Sequence, residues 1–183
     1  MSLTFYTTTG NIKVELYSSN DSSILVENFL RHVAKGSYEN LAILRFIPDF
    51  ILQTGSPNNR STYSIPADTE NALQGNDQRV LQRDSEIERG TLFTINTGAQ
   101  PDSQFFILLN TKHLDVLNQS GSYTAIGHII DGIDAIEKVE GDIQVVDHIS
   151  SKPIGKWKKK IWINRIEIHN NPFAGQSSES EVV

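Results

Sequence analysis

Apolar and polar residues alternate twice near the start of the chain, over Ser2 to Thr7 and Asn11 to Leu16, with Thr9-Gly10 between the two runs. A period of two places Ile12, Val14 and Leu16 on one face, so the segment is predicted to form a β-hairpin. From Ser22 the apolar spacing changes to Val26, Phe29, Leu30 and Val33, the pattern of an amphipathic helix. Gly36 is placed to end that helix, and Lys35 falls in its last turn, where the helix dipole favours a cation.

Strand character returns at Leu41 to Ile47 and at Phe50 to Thr54, on either side of Pro48, which lacks a ladder donor and marks a bend or an edge. Residues Ser56 to Gly90 are mostly polar and are expected to form a loop. Thr91 to Asn96, Gln104 to Leu109 and Thr124 to Ile130 read as strands, followed by a short helix over Asp131 to Val139. A last strand, Lys160 to Ile168, alternates at Ile161, Ile163, Ile166 and Ile168 with one irregular step. The chain shows no internal repeat at solenoid spacing.

Composition narrows the choice. A chain of 183 residues, 38% of them hydrophobic, can bury one substantial core and most naturally forms one domain. Its 16 Lys and Arg against 22 Asp and Glu give a net charge of -6, which argues against general nucleic-acid binding. The absence of cysteine excludes disulfides, thiolate zinc sites and cysteine nucleophiles. No metal-ligand spacing is found among the five histidines, so His32, His128, His148 and His169 are expected to be structural or surface residues. Met1 to Phe5 lack the features of a signal peptide, and no run approaches the roughly 18 apolar residues of a membrane helix. A nuclear or cytoplasmic location is therefore expected, with no membrane partner. Lys156, Lys158, Lys159 and Lys160 surround Trp157, which reads as a solvated basic loop carrying an exposed aromatic. Docking of an acidic protein or RNA there is the alternative. Ala174 to Val183 reads as an acidic, disordered tail.

The candidate chemistry lies in two runs, Arg45-Phe46-Ile47-Pro48-Asp49-Phe50-Ile51-Leu52-Gln53-Thr54-Gly55 and Ser103-Gln104-Phe105-Phe106-Ile107. Together they resemble the active-site strands of cyclophilins, the peptidyl-prolyl cis-trans isomerases. The resemblance extends from about Leu3 to Phe173 and implies a mainly β fold, a closed eight-stranded antiparallel barrel capped by two helices, over residues 1–173. The opening Thr4 to Leu16 and the closing Ile166 to Phe173 look most like small single-domain cyclophilin-like proteins associated with spliceosomes.

That resemblance implies isomerisation of X-Pro bonds without cofactor or metal. Arg45 would aim a donor at the prolyl nitrogen and Gln53 would orient it. The eight-residue spacing, read along one strand, gives the two a common face. By the same match Phe50, Ile51, Phe106 and Leu114 would form the apolar slot for the proline ring, and Asn96 would hold the substrate carbonyl through its backbone. Ile95 would border the neighbouring subsite, Gln104 would contact the peptide, and His113 and Tyr123 would stand at the rim. Phe105, pointing opposite Phe106, is expected in the core.

Departures from the family pattern keep a second reading open. Ile43-Leu44 stand where Phe-His usually precedes the arginine, and Thr54 and Ser56 replace glycine and aspartate. The glycine-rich Ser-Ile-Tyr-Gly element is missing after Gly55, and the loop from Val116 to Ser122 is longer than usual. These changes suit a binding module that kept the barrel while turnover weakened. Expected partners on either reading are proline-containing peptides or proteins, spliceosomal proteins and cyclosporin A, with the chain a monomer that binds no nucleic acid directly.

Overall fold

The computed structural model describes residues 1–17, 23–55, 87–97, 100–120, 123–145 and 151–170. Residues 56–86 of the loop expected over Ser56 to Gly90, His148 and the expected tail lie outside them. Among the described residues, no helix is long and apolar enough to cross a membrane.

Strand β1 (Ser2–Thr7) pairs antiparallel with β2 (Gly10–Leu16), Leu3 opposite Val14 and Phe5 opposite Ile12, so the predicted hairpin forms with its apolar face inward. Helix α1 (Ser23–Ala34) buries Val26, Phe29, Leu30 and Val33, the predicted stripe, and Leu25 beside it. Its end is a Schellman motif: Ser37 N–H donates to His32 O and Gly36 N–H to Val33 O, both at 3.0 Å. Gly36 adopts φ +71°, which explains glycine at that position.

Seven further strands follow: β3 (Leu41–Ala42), β4 (Arg45–Ile47), β5 (Ile51–Thr54), β6 (Thr91–Thr97), β7 (Gln100–Leu108), β8 (Tyr123–Asp131) and β9 (Ile161–His169). They form one antiparallel sheet of nine strands in the order β3-β9-β1-β2-β8-β6-β7-β5-β4. This corrects the closed eight-stranded expectation, because β3 and β4 end the order and no ladder joins them. The chain passes between those edges through Ile43 and Leu44, and the gap is bridged by a side chain, Thr54 Oγ1 donating to Ala42 O at 2.9 Å. The irregular step expected in the last strand is a register shift: Tyr6 faces Arg165 and Thr7 faces Ile163. The skipped residue, Asn164, accepts a hydrogen bond from Asn40 N–H at 3.1 Å.

Helix α2 (Leu114–Ser120) replaces the long loop expected from Val116. A 3₁₀ turn at Thr111–His113 leads into it, capped by Asn110 Oδ1, and Leu117 is buried one turn after Leu114. Helix α3 (Ile133–Asp142) buries Ala135, Ile136 and Val139 and runs past the predicted Val139 end. Arg89 ties the entry to β6 to the end of β7 and to α3: Nη1 donates to Leu109 O at 2.8 Å, and the guanidinium pairs with Glu140, which raises its pKa.

Trp157 overturns the expectation of an exposed aromatic, since it is 1% exposed. It sits in a 3₁₀ turn, Gly155–Trp157, with Nε1 donating to Asp142 Oδ2 at 3.0 Å. Lys160 Nζ lies 4.4 Å from its ring centroid, and Lys156 pairs with Asp142 at 2.6 Å. Half of the basic cluster thus anchors an indole beside the end of α3, leaving Lys158 and Lys159 exposed.

The sheet is apolar on both faces over β5 to β8. Alternation sends Leu52, Leu92, Phe105, Ile107 and Ile126 into the main core with α1, where Phe105 meets Phe5, Phe29 and Tyr38 edge-on at 5.3 to 5.9 Å. Phe105 is core, as its parity implied. The intervening residues Ile51, Phe93, Phe106, Leu108 and Ala125 form a second cluster on the other face.

Candidate active site

Arg45 and Gln53 are brought together by a tight hairpin rather than by one strand. Pro48 occupies the second position of the Ile47–Phe50 turn, Asp49 takes φ +56° at the third, and Phe50 N–H donates to Ile47 O at 3.1 Å. Proline followed by a positive φ is the chemistry of a type II turn. The turn folds β4 onto β5 with Arg45 opposite Gln53, Phe46 opposite Leu52 and Ile47 opposite Ile51. Directly opposed residues share a face, so the common face expected for Arg45 and Gln53 arises from pairing across two strands.

The pairing continues across the sheet. Gln53 faces Phe106 on β7, Phe106 faces Phe93 on β6, and Phe93 faces Ala125 on β8. One cross-strand row therefore runs Arg45, Gln53, Phe106, Phe93, Ala125, with a charged end and an aromatic middle. Beside it a second row runs Ile47, Ile51, Leu108. Arg45 is partly buried, and no ion pair to its guanidinium is found among the described residues. Its five N–H donors are fixed in a planar fork.

Gln53 bonds sideways as well: its Nε2 donates to Gln104 Oε1 at 2.7 Å. That leaves the Gln53 carbonyl oxygen as the acceptor available to Arg45. Gln104 reaches this position because it precedes Phe106, the partner of Gln53, by two residues on β7; against β6 the same segment is bulged, Thr94 pairing with Phe105 but Asn96 with Pro101, which has no N–H to offer the ladder. Gly55 makes the approach of β5 possible, since at φ +123° a Cβ there would lie 2.6 Å from Gln104 Cα.

Phe50, Ile95, Leu114 and Tyr123 are partly buried and pack against the cluster of Ile51 and Phe106. The ring of Phe106 is only 1% exposed, stacked 5.0 Å from Phe93 and met edge-on by Tyr123 at 5.4 Å. His113 is exposed and stands edge-on to Phe50 at 5.4 Å. Ile95 lies opposite Tyr123 across β6 and β8, and Asn96 follows it on β6. Arg45, Gln53, Gln104, Phe50, Ile51, Phe106, Ile95, Leu114, Tyr123 and His113 are thus gathered on one face of the sheet and its rim, with the Asn96 backbone at its edge.

Phe93, Ile47, Leu108, Leu117 and Ala125 belong to the same face and were not singled out from sequence. Phe93 was within reach of the pattern, because it precedes Ile95 by two residues on one strand and so shares its face. Among the described residues no group of acidic or histidine side chains could hold a metal ion. The arrangement offers instead a fixed cation and an amide beside an apolar aromatic surface.

Comparison with known proteins matches residues 2–167 to the family described as "Cyclophilin type peptidyl-prolyl cis-trans isomerase/CLD". Peptidyl-prolyl cis-trans isomerase 10 of Caenorhabditis elegans is 35% identical over 181 residues, covering 95% of this chain and 99% of that protein. Peptidyl-prolyl cis-trans isomerase-like 3 of Neurospora crassa is 32% identical with the same coverage, and its Mus musculus namesake is 31% identical over 95% of this chain and 99% of its own. Among solved structures, a cyclophilin type isomerase of Cryptosporidium parvum crystallised in the presence of the dipeptide Ala-Pro superposes with a TM-score of 0.62 at 24% identity, covering 93% of this chain and all of that one.

Proposed function

The chain belongs to the cyclophilin-type peptidyl-prolyl cis-trans isomerase family, and we propose that it isomerises X-Pro bonds of peptides and proteins through Arg45 and Gln53, over a slot floored by Phe106. The observation that carries this reading is the cross-strand row that sets Arg45, Gln53 and Phe106 side by side on one face.

Amide resonance gives rotation about a peptide bond a barrier of roughly 18–20 kcal/mol. Exchange of an X-Pro bond therefore takes tens to hundreds of seconds without a catalyst, about the slowest step in many folding reactions. A donor aimed at the prolyl nitrogen favours its pyramidal, less conjugated form and so binds the twisted state better than either planar one. Arg45 supplies that donor with a charge that does not titrate, and the Gln53 carbonyl holds the guanidinium in plane. Phe106, Ile51, Phe50 and Leu114 grip the proline ring so that rotation falls on the acyl side, while Ile95, Gln104, Tyr123 and His113 contact the residues around it. The Asn96 backbone holds the substrate carbonyl. The Ala-Pro dipeptide of the Cryptosporidium parvum crystal supports proline peptides as the ligand class.

Exchange spectroscopy of a short Ala-Pro peptide tests the reading. Catalytic amounts of the chain produce cis-trans exchange cross-peaks, and a folded chain that binds the peptide without producing them overturns the enzyme reading.

A binding module is the second reading, favoured by the changed approach to Arg45, with Ile43-Leu44 before it and Thr54 and Ser56 after Gln53. On that reading the chain holds a proline segment of a spliceosomal protein in the nucleus or cytoplasm, and cyclosporin A competes for the same face. Affinity capture with and without a proline peptide as competitor tests it.

A further inference from the structure

Phe106 is flanked on the side away from Gln53. The Phe93 ring lies parallel to it within 7°, at 5.0 Å between centroids, and Phe93 is 0% exposed. The next residue of the row, Ala125, carries only a methyl group, which leaves room on β8 for the Phe93 ring. Tyr123 closes Phe106 from another side at 84°. Two aromatic contacts therefore flank Phe106, an offset stack with Phe93 and an edge contact with Tyr123.

We infer that Phe93 is a positioning residue for the isomerase: it never touches the peptide, but it sets the height and tilt of Phe106 relative to Arg45 in the same row. The inference rests on the roles proposed above for Arg45 and Phe106. Its independent support is where Phe93 packs. The ring does not join the main core around Phe105 but the smaller cluster whose other members include Ile51, Phe106, Phe50, Ile95, Leu114 and Tyr123. In a close-packed interior, a smaller side chain beside Phe106 opens a void into which that ring settles. The proline ring keeps an apolar floor, yet the prolyl nitrogen no longer meets the donor correctly. Binding survives and turnover suffers.

The test compares wild type, Phe93→Leu, Phe93→Met and a control, Phe105→Leu, which trims the adjacent residue on the opposite face of β7. Rates come from exchange spectroscopy of the Ala-Pro peptide, normalised to folded protein. Phe93→Leu is expected to lower kcat about tenfold with KM changed by less than about twofold, while Phe105→Leu stays within about twofold of wild type in both. Wild-type kcat in folded Phe93→Leu and Phe93→Met, or an equal loss in Phe105→Leu, overturns the inference. Should neither Phe93 variant fold, aromatic ring resonances of the wild-type chain decide the matter during peptide titration. Buried Phe93 is expected to shift with the same midpoint as Phe106, and a Phe106 shift with Phe93 unmoved overturns the inference. Failure of the parent reading is seen separately, as a wild-type chain that produces no exchange at all.

Discussion

Arg45 and Gln53 face each other directly across a hairpin closed by Pro48 and Asp49, and Gln53 Nε2 donates to Gln104 Oε1 at 2.7 Å. Gln53 is thus the joint between the cationic end of the site and the bulged segment of β7. A residue with two neighbours of different function gives separable losses on mutation.

Gln53→Ala and Gln104→Ala, alone and combined, are expected to show a coupling of about 0.5–1.5 kcal/mol in stability, the usual worth of one such hydrogen bond. In kcat/KM the Gln53 change is the more damaging single substitution, because it also removes the acceptor opposite Arg45. Urea denaturation and exchange rates measure the two effects, and additive stabilities contradict the bond.

Gly55→Ala places a Cβ 2.6 Å from Gln104 Cα, at a φ of +123° that side chains rarely adopt. The backbone strain alone costs about 1–3 kcal/mol. A lowered urea midpoint with unchanged slope is expected, together with weaker peptide binding as β5 and the Gln104 segment separate. A neutral Gly55→Ala contradicts the close approach.

The carboxyl of Asp142 is held below its usual range, first by the hydrogen bond from Lys156, which outweighs the opposing effect of desolvation, and to a lesser degree by the Trp157 indole. A depressed carboxylate contributes stability that is full above its unfolded pKa and is lost as pH falls through the folded one. Asp142→Asn is therefore expected to melt below wild type at pH 7, with the gap narrowing below about pH 4. Melting curves across that range check it, and a gap constant with pH contradicts the charged partnership.

Much of this fold is written locally. The β1–β2 hairpin follows from alternation because one face of it is buried, and a slip of one residue would expose Leu3, Phe5, Ile12 and Val14 together. Helix α1 carries its stripe and its glycine stop. The shared face of Arg45 and Gln53 was legible by parity, but the hairpin was not, since Pro48 reads equally as a break and as the second residue of a turn. Closure of the sheet was illegible for a different reason: how β3 and β4 end depends on contacts between separate segments, Thr54 Oγ1 with Ala42 O and Phe46 N–H with Ser151 O. Trp157 misled because flanking lysines suggest solvent, while the partner that draws the indole inward, Asp142, lies in another element. Phe93 escaped notice because its cluster is the second of two, and an apolar residue beside Leu92 on a strand reads first as ordinary core.

The most direct measurement is cis-trans exchange of an X-Pro peptide with wild type and Arg45→Ala, alongside peptide binding by both. Arg45 has no ion pair among the described residues, so Arg45→Ala is expected to change stability by less than about 0.5 kcal/mol. Its turnover is expected to fall about 10²–10³-fold, the usual loss for one donor aimed at a transition state. Binding to the Phe106 face is retained. Exchange that proceeds at the wild-type rate in folded Arg45→Ala would contradict the role of the Arg45, Gln53 and Phe106 row in catalysis.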